Sequence, residues 1–238
     1  MTREEFAQKR STGQLTLTLV GKSNIGKTHW SEILEDAGFR HVNCDDLVEA
    51  KNSALLNSEG FGTGIQEVAR WLGKPYEETY DAKQRKFIGH EKEVMDQIVD
   101  LAYLIHGNTT IDTTGSVVHL GEETGTALRE LSVVVYLEAT PAHRQKMFGQ
   151  FIAEPKPVVF ADVFSKRSGE TDDAALERSY GELLEIRSDL YASFADVTIQ
   201  REELEGAITA DDFLDIIATK LTRTHERRAK GDREQSRI

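Results

Sequence analysis

The 238-residue chain has one cysteine, four prolines, three methionines and two tryptophans, and no apolar run approaches the length needed to cross a bilayer. Each shortage excludes something. A lone Cys44 rules out an internal disulfide framework and suits a reducing cytoplasm. The amino-terminal stretch Met1–Arg10 is charged and has no apolar signal core. With so few prolines there is no proline-rich linker, and no internal repeat or low-complexity segment breaks the chain. An excess of basic charge is absent too: the net charge is −12, so the field a general nucleic-acid binder needs is missing. What remains is 39% hydrophobic and 29% charged, the balance of a soluble globular protein. At this length one α/β domain with a sizeable core is expected over residues 1–238.

The stretch Leu15–Thr28 organises the rest. Leu15, Leu17, Leu19 and Val20 read as a buried parallel strand. The strand runs into Gly21-Lys22-Ser23-Asn24-Ile25-Gly26-Lys27-Thr28, which fits the phosphate-binding loop pattern at every fixed position. Glycines at both ends let the backbone wrap so that its N–H groups point inward at a polyphosphate. Lys27 is placed to reach the β- and γ-phosphates of ATP, and Thr28 carries a hydroxyl for Mg²⁺. Trp30, Ile33, Leu34 and Ala37 then recur at helical spacing before Gly38, giving a helix whose positive N-terminus faces the same anion.

Further strands are expected near 40–43, 109–113, 132–137 and 196–200, alternating with helices. That pattern predicts a three-layer α/β fold with a five-stranded parallel sheet and ligands at the carboxyl ends of the strands. Between them, a helix opens at Leu47-Val48-Glu49 and residues 51–64 read as loop. Ile65, Val68, Ala69 and Leu72 form a short amphipathic helix, and a longer one runs from Phe87 to Ile105. Residues 149–171 lack clear periodicity and read as a lid, and the polar tail from about 222 to 238 reads as frayed.

With these pieces in order, the chain resembles the shikimate kinase family of small P-loop kinases from about Leu15 to Ile199. Asn43-Cys-Asp-Asp-Leu-Val-Glu49 is similar to the family's Asp-x-Asp-x-x-Ile-Glu segment, and Gly64-Ile-Gln-Glu-Val68 with Gly73 to its Ser-Ile-x-Glu-Ile…Gly stretch. Ile111-Asp-Thr-Thr-Gly-Ser-Val-Val118 stands at the family's triple-glycine turn, and Val134–Glu138 resembles its fourth strand. Lys156-Pro-Val-Val159 resembles the lid's Arg-Pro-Leu-Leu, and Arg187-Ser-Asp-Leu-Tyr191 with Ala195-Asp196 is similar to Arg-x-x-Leu-Tyr…Ala-Asp. The resemblance implies an ATP- and Mg²⁺-dependent kinase for a hydroxyl of a small metabolite, with substrate-binding helices beside the P-loop. It implies substrate contacts from Asp45, Glu91, Thr114, Gly115 and Arg187, and catalytic roles for Lys27, Asp45, Arg187 and Lys156. The chain departs from the family at four places: Asn43 replaces the first acid, Ile88 an arginine, Thr114-Gly115-Ser116 the triple glycine, and Lys156 the lid arginine. Shikimate's carboxylate is gripped by arginines in that family, so the resemblance implies phosphotransfer more strongly than shikimate as the acceptor.

Each site residue also has a plainer role open to it. Asp45, just past the second strand, accepts the acceptor's proton or, like Asp46, caps a helix. Asp112, ending the third strand, resembles a Walker-B acid holding Mg²⁺ through water with Thr28, or bonds its own turn. Arg187 meets an anion or pairs with Glu138. Lys156, Lys166 and Arg167 are lid clamps or solvated charges. His41 and Cys44 are a poor metal pair and better core residues, and Trp71 and Tyr76 stack on a ligand or simply pack. The rival functions are a nucleoside or nucleotide kinase and a nucleotide-binding regulator without turnover; a GTPase is disfavoured because no Asn-Lys-x-Asp segment occurs. Neither nucleic acid nor membrane is expected as a partner, and the chain is a monomer or homodimer.

Overall fold

The computed structural model describes residues 1–102, 104, 106–154 and 156–235, with backbone alone at 142, 145 and 223–235. Ile105 in the expected long helix, Pro155 in the expected lid and the last three residues of the tail lie outside the described residues.

Five parallel strands form one sheet: β1 (Thr16–Val20), β2 (Arg40–Asn43), β3 (Thr109–Asp112), β4 (Val133–Glu138) and β5 (Val197–Gln200). Their spatial order is β2-β3-β1-β4-β5. β1 therefore sits at the centre, between β3 and β4. Because it is covered on both faces, Leu17, Leu19 and Val20 are wholly buried, and its one buried polar residue, Thr18, is satisfied by the Ser132 hydroxyl at 2.7 Å. In β4 the residues Val133 to Leu137 are likewise buried.

The connecting helices pack against the sheet and against one another. α2 (Lys27–Asp36) packs on β2 and β3 and meets α9 (Ala210–Gln235), with the Trp30 and Phe213 rings stacked 4.4 Å apart. α6 (Glu122–Leu131), α7 (Pro141–Ala153) and α8 (Asp172–Phe194) follow β3 and β4, and Tyr136 of β4 stacks on Tyr191 of α8 at 5.2 Å. An amino-terminal helix, α1 (Arg3–Ser11), begins at a Thr2/Glu5 capping box and buries Phe6.

Four expected boundaries move. α3 (Cys44–Ser58) runs on through residues 51–58, where a loop was expected, because Cys44, Val48, Asn52 and Leu56 are buried at a four-residue spacing. Asn52 hid that stripe; its amide donates to Val48 O at 2.7 Å and its Oδ1 meets His90 Nδ1 at 2.8 Å. α4 (Ile65–Leu72) is as expected, but α5 (Tyr80–Ala102) starts a full two turns before Phe87. α7 takes up residues 149–153 of the stretch read as lid, and α9 continues as helix through the tail to Gln235.

Candidate active site

The P-loop joins β1 to α2, and its conformation follows from its glycines. Gly21 has φ 147°, and a Cβ there would come within 2.7 Å of Leu137 O. Gly26, at φ 109°, caps α2 without any side-chain bond to the helix N-terminus. Asn24 holds a left-handed φ of 61°. Among the described residues the N–H groups of Ser23, Asn24 and Gly26 find no acceptor. A ring of unpaired donors at an uncapped helix start is the donor set a polyphosphate requires. Lys27 is buried, and its ammonium donates to Gly21 O at 3.2 Å and Lys22 O at 3.3 Å, with one proton left over. Burial pulls its pKa down, against the attraction of Asp112 and Asp45.

Asp112 does not bond its own turn. It is 4% exposed, and its Oδ2 accepts the Thr28 hydroxyl at 2.6 Å. β3 lies next to both β1 and β2, so Asp112 is the register partner of Leu19 on one side and of Asn43 on the other. Asn43 and the acid Asp112 are therefore neighbours across the sheet. Asn43, not Asp45 or Asp46, caps α3, its Oδ1 accepting from Asp46 N–H at 3.3 Å. Asp45 is left in the first turn with no capping duty. Burial raises its pKa, Lys27 opposes that rise, and Asp112 adds to it. Thr28 and Asp112 thus present a hydroxyl and a carboxylate to one point beside the loop, which fits a hard cation such as Mg²⁺.

Glu91 of α5 is 1% exposed and accepts hydrogen bonds from the hydroxyls of Thr114 and Ser116, the latter at 2.7 Å. Thr114 and Ser116 therefore both serve this buried glutamate. Burial pushes Glu91 up to about 7, and the two hydroxyls and Arg187 moderate the rise. Gly115 lies against Ser23 and Arg187, and its carbonyl accepts from Tyr191 OH at 2.5 Å.

Arg187 does not pair with Glu138. Its Nε donates to His119 Nε2 at 3.1 Å and its Nη2 to Val159 O at 2.7 Å. Burial and the adjacent guanidinium hold His119 down to about 4, so the imidazole stays neutral and accepts. Nothing in the spacing of the sequence marks His119. Lys22 is the other surprise: it is 2% exposed, its Nζ has no partner, and burial with Arg144 nearby lowers it to about 8.

The stretch after α7 is anchored at its centre. Val159 and Phe160 are buried, Tyr80 OH donates to Val158 O at 2.7 Å, and Ala161 N–H donates to Gln84 Oε1 at 2.9 Å. Lys156 shares an electrostatic environment with Lys27 and Asp45. Lys166 and Arg167 do not, being surface partners of Asp172 and Glu182. Trp71 is core, its Nε1 donating to Glu59, and Tyr76 lies exposed against Phe164. His41 Nε2 is 3.8 Å from Asp112 Oδ2, buried Cys44 has its thiol pushed up by burial, and no cluster of three metal-ligating side chains exists among the described residues.

At the carboxyl ends of β4 and β5, a cavity of about 250 Å³ is lined by Glu138, Thr140, Arg144, Gln200 and Glu202. Arg201 ties this end to the loop by donating to Ile25 O at 3.5 Å.

A parallel 2-3-1-4-5 sheet with a P-loop after its central strand defines the class, a P-loop α/β fold. Within it the chain shares the fold of shikimate kinases. The Acinetobacter baumannii enzyme, solved in complex with shikimate, superposes with a TM-score of 0.54 at 19% identity, over 90% of this chain and 97% of that one. The Bacteroides thetaiotaomicron enzyme gives 0.51 at 14% identity, over 85% and 96%. No protein-family model and no curated protein sequence matches the chain.

Proposed function

We propose that this protein is an ATP-dependent phosphotransferase that phosphorylates a hydroxyl of a small metabolite other than shikimate. One observation carries the reading. An unfilled donor ring with a buried lysine, a hydroxyl–carboxylate pair, and a half-buried aspartate free of capping duty all meet at the carboxyl ends of β1, β2 and β3.

The nucleotide supplies the phosphoryl group and Mg²⁺ neutralises its charge; the chain's own residues do the rest. The N–H groups of Ser23, Asn24 and Gly26 hold phosphate oxygens, and Lys27 turns from the loop carbonyls to the same oxygens. Thr28 and Asp112 would hold the cation. The cavity between Arg144 and Gln200 takes the base. Asp45 orients the acceptor oxygen and takes its proton as the new P–O bond forms and the bond to the departing diphosphate breaks. Its raised pKa brings proton acceptance closer to neutral pH. Arg187, steadied by His119 and Val159 O, and Lys156 stabilise charge that grows in the transition state. Such chemistry suits a reducing cytoplasm, consistent with one buried cysteine. Among the described residues no helix is long and apolar enough to cross a membrane.

The test is ADP release by the purified chain with Mg²⁺ and ATP, with and without pools of polyols, sugar acids, amino alcohols and nucleosides. Acceptor-dependent release from one pool is expected. Release that no pool accelerates overturns the reading, and acceleration by nucleosides alone replaces it with a nucleoside kinase.

A further inference from the structure

A cavity of about 370 Å³ opens between α4, the turn after it, and the segment following α7. Ala69, Phe151, Val158 and Phe160 give it apolar walls. It also contains charges of both signs, and they are not equally free. Glu67 accepts from Gly62 N–H at 2.9 Å and from Arg70 at 2.9 Å. Glu77 accepts from the Lys74 backbone N–H at 2.9 Å. Arg70, besides its bond to Glu67, lies over the Phe61 ring at 5.4 Å. Both acids and the arginine are therefore committed to the local fold.

Lys74 and Lys156 have no carboxylate partner among the described residues; Lys74 makes a cation–π contact with the cavity wall alone. Each is half-buried, and neither ammonium is ion-paired with a carboxylate among the described residues. Lys74 Nζ stands 4.5 Å from the centre of the Phe151 ring, against the cavity wall. Burial holds it below its ordinary range, although Glu77 and Asp173 attract its charge and oppose the shift. Lys156 marks the other end. It lines this cavity and the cleft beside Ser23 and Asn24, and its charge acts on Lys27 and Asp45. The cavity therefore shares Phe151, Lys156 and Val158 with the cleft at the phosphate loop, and at its outer end holds an ammonium without an ion-pair partner among the described residues.

We propose that this cavity is the acceptor pocket and that the acceptor is an amphipathic hydroxylated anion. Its apolar body lies against Phe151, Val158 and Phe160. Its carboxylate or phosphate sits at Lys74, and its hydroxyl points past Lys156 to Asp45. Naming the occupant as acceptor rests on the phosphotransferase reading; the binding of an amphipathic anion does not. The chemistry also accounts for the missing arginine at Ile88, since the anion-binding charge lies farther out, on α4's trailing turn. A polyhydroxylated ring acid such as shikimate has no apolar body to fill these walls.

The test is calorimetric titration of the full chain with 3-phenylpropionate, phenyl phosphate and neutral 3-phenylpropan-1-ol, with and without a non-hydrolysable ATP analogue. At least one anionic probe should bind ten-fold or more tighter than the neutral alcohol, and which one binds tells carboxylate from phosphate. Lys74→Gln should reduce that probe to the level of the alcohol, and Lys74→Arg should keep most of its binding. Unfolding midpoints matching the parent protein establish that the variants are folded. Equal binding of anion and alcohol, an unaffected Lys74→Gln, or no binding of any probe overturns the proposal. Selective anion binding in a protein that never turns over ATP supports the pocket and removes the phosphotransferase reading. Acceptor-dependent ADP release with a KM unchanged in Lys74→Gln does the reverse.

Discussion

Replacing Asp112 by asparagine isolates the metal-holding charge. The carboxylate is 4% exposed, and its Oδ2 accepts the Thr28 hydroxyl at 2.6 Å, so the side chain is fixed where a cation on Thr28 would lie. Asparagine keeps the shape and one acceptor oxygen and removes only the charge. A hydrogen bond to an ionised group is worth about 1.5–3 kcal/mol against about 0.5–1.5 for a neutral one, so roughly 1 kcal/mol is lost at Thr28. The outer-sphere attraction to a divalent ion is lost as well, and in a partly solvated cleft we assign it about another 1 kcal/mol. About 2 kcal/mol in total corresponds to about a 30-fold rise in the Mg²⁺ concentration for half-maximal activity. ATP binding without metal should move the other way or not at all, because a negative charge has left the neighbourhood of the phosphates. The assay is ADP release across a Mg²⁺ titration, paired with binding of a fluorescent ATP analogue in EDTA. Asn43 is the register partner of Asp112, so Asn43→Asp returns an acid to the same place from the adjacent strand. It also keeps the cap of α3, since aspartate caps as well as asparagine. The double variant should recover part of the lost Mg²⁺ affinity. An unchanged Mg²⁺ requirement in Asp112→Asn, or no recovery on adding Asn43→Asp, would refute the reasoning.

Lys27→Ala should abolish turnover by several kcal/mol of transition-state energy while the unfolding midpoint holds, which near-normal turnover in the purified variant would contradict. Shikimate should be phosphorylated poorly or not at all, because a missing charge-assisted hydrogen bond at Ile88 costs about 1.5–3 kcal/mol; efficient saturable phosphorylation in a direct assay would disprove this. Glu91 is raised from 4.5 to about 7 in the folded protein, so the native state binds a proton that the unfolded chain releases. Its contribution is complete below pH 4.5 and is lost as pH rises through 7, by about 3 kcal/mol at most; denaturant melts from pH 4.5 to 8 should show the fall, and Glu91→Gln should flatten it. Lys22 is lowered from 10.5 to about 8, so stability should climb as pH rises from 8 toward 10.5. Lys22→Met should remove that climb and stabilise the protein at pH 7 by about 2 kcal/mol, and a destabilised Lys22→Met would show that the ammonium has a partner after all.

Local chemistry wrote much of this protein into its sequence. The strand–loop–helix unit at 15–37 was legible because the glycine positions, the lysine and the hydroxyl must stand at those spacings to hold phosphate. β1 and β4 were legible because strands covered on both faces need short apolar runs, β3 and β5 because β-branched residues cluster between helical stretches, and Thr209/Asp212 announced α9 because its first-turn donors need those acceptors. Periodicity failed where a buried polar residue interrupts it. Asn52 concealed half of α3, since whether an amide belongs in a core depends on a partner such as His90, 38 residues away. The same holds for Lys22, whose burial no neighbour in sequence signals, and for the segment after α7, which Tyr80, Gln84 and Arg187 hold from other helices. Only the strand order β2-β3-β1 set Asp112 between Leu19 and Asn43 and within reach of Thr28. His119 became Arg187's acceptor only when α8 packed on the turn after β3. Residue type and spacing decide what a segment can do by itself. Which segments meet is decided by packing the whole sheet and its helices at once, and the candidate site is made mostly of such meetings.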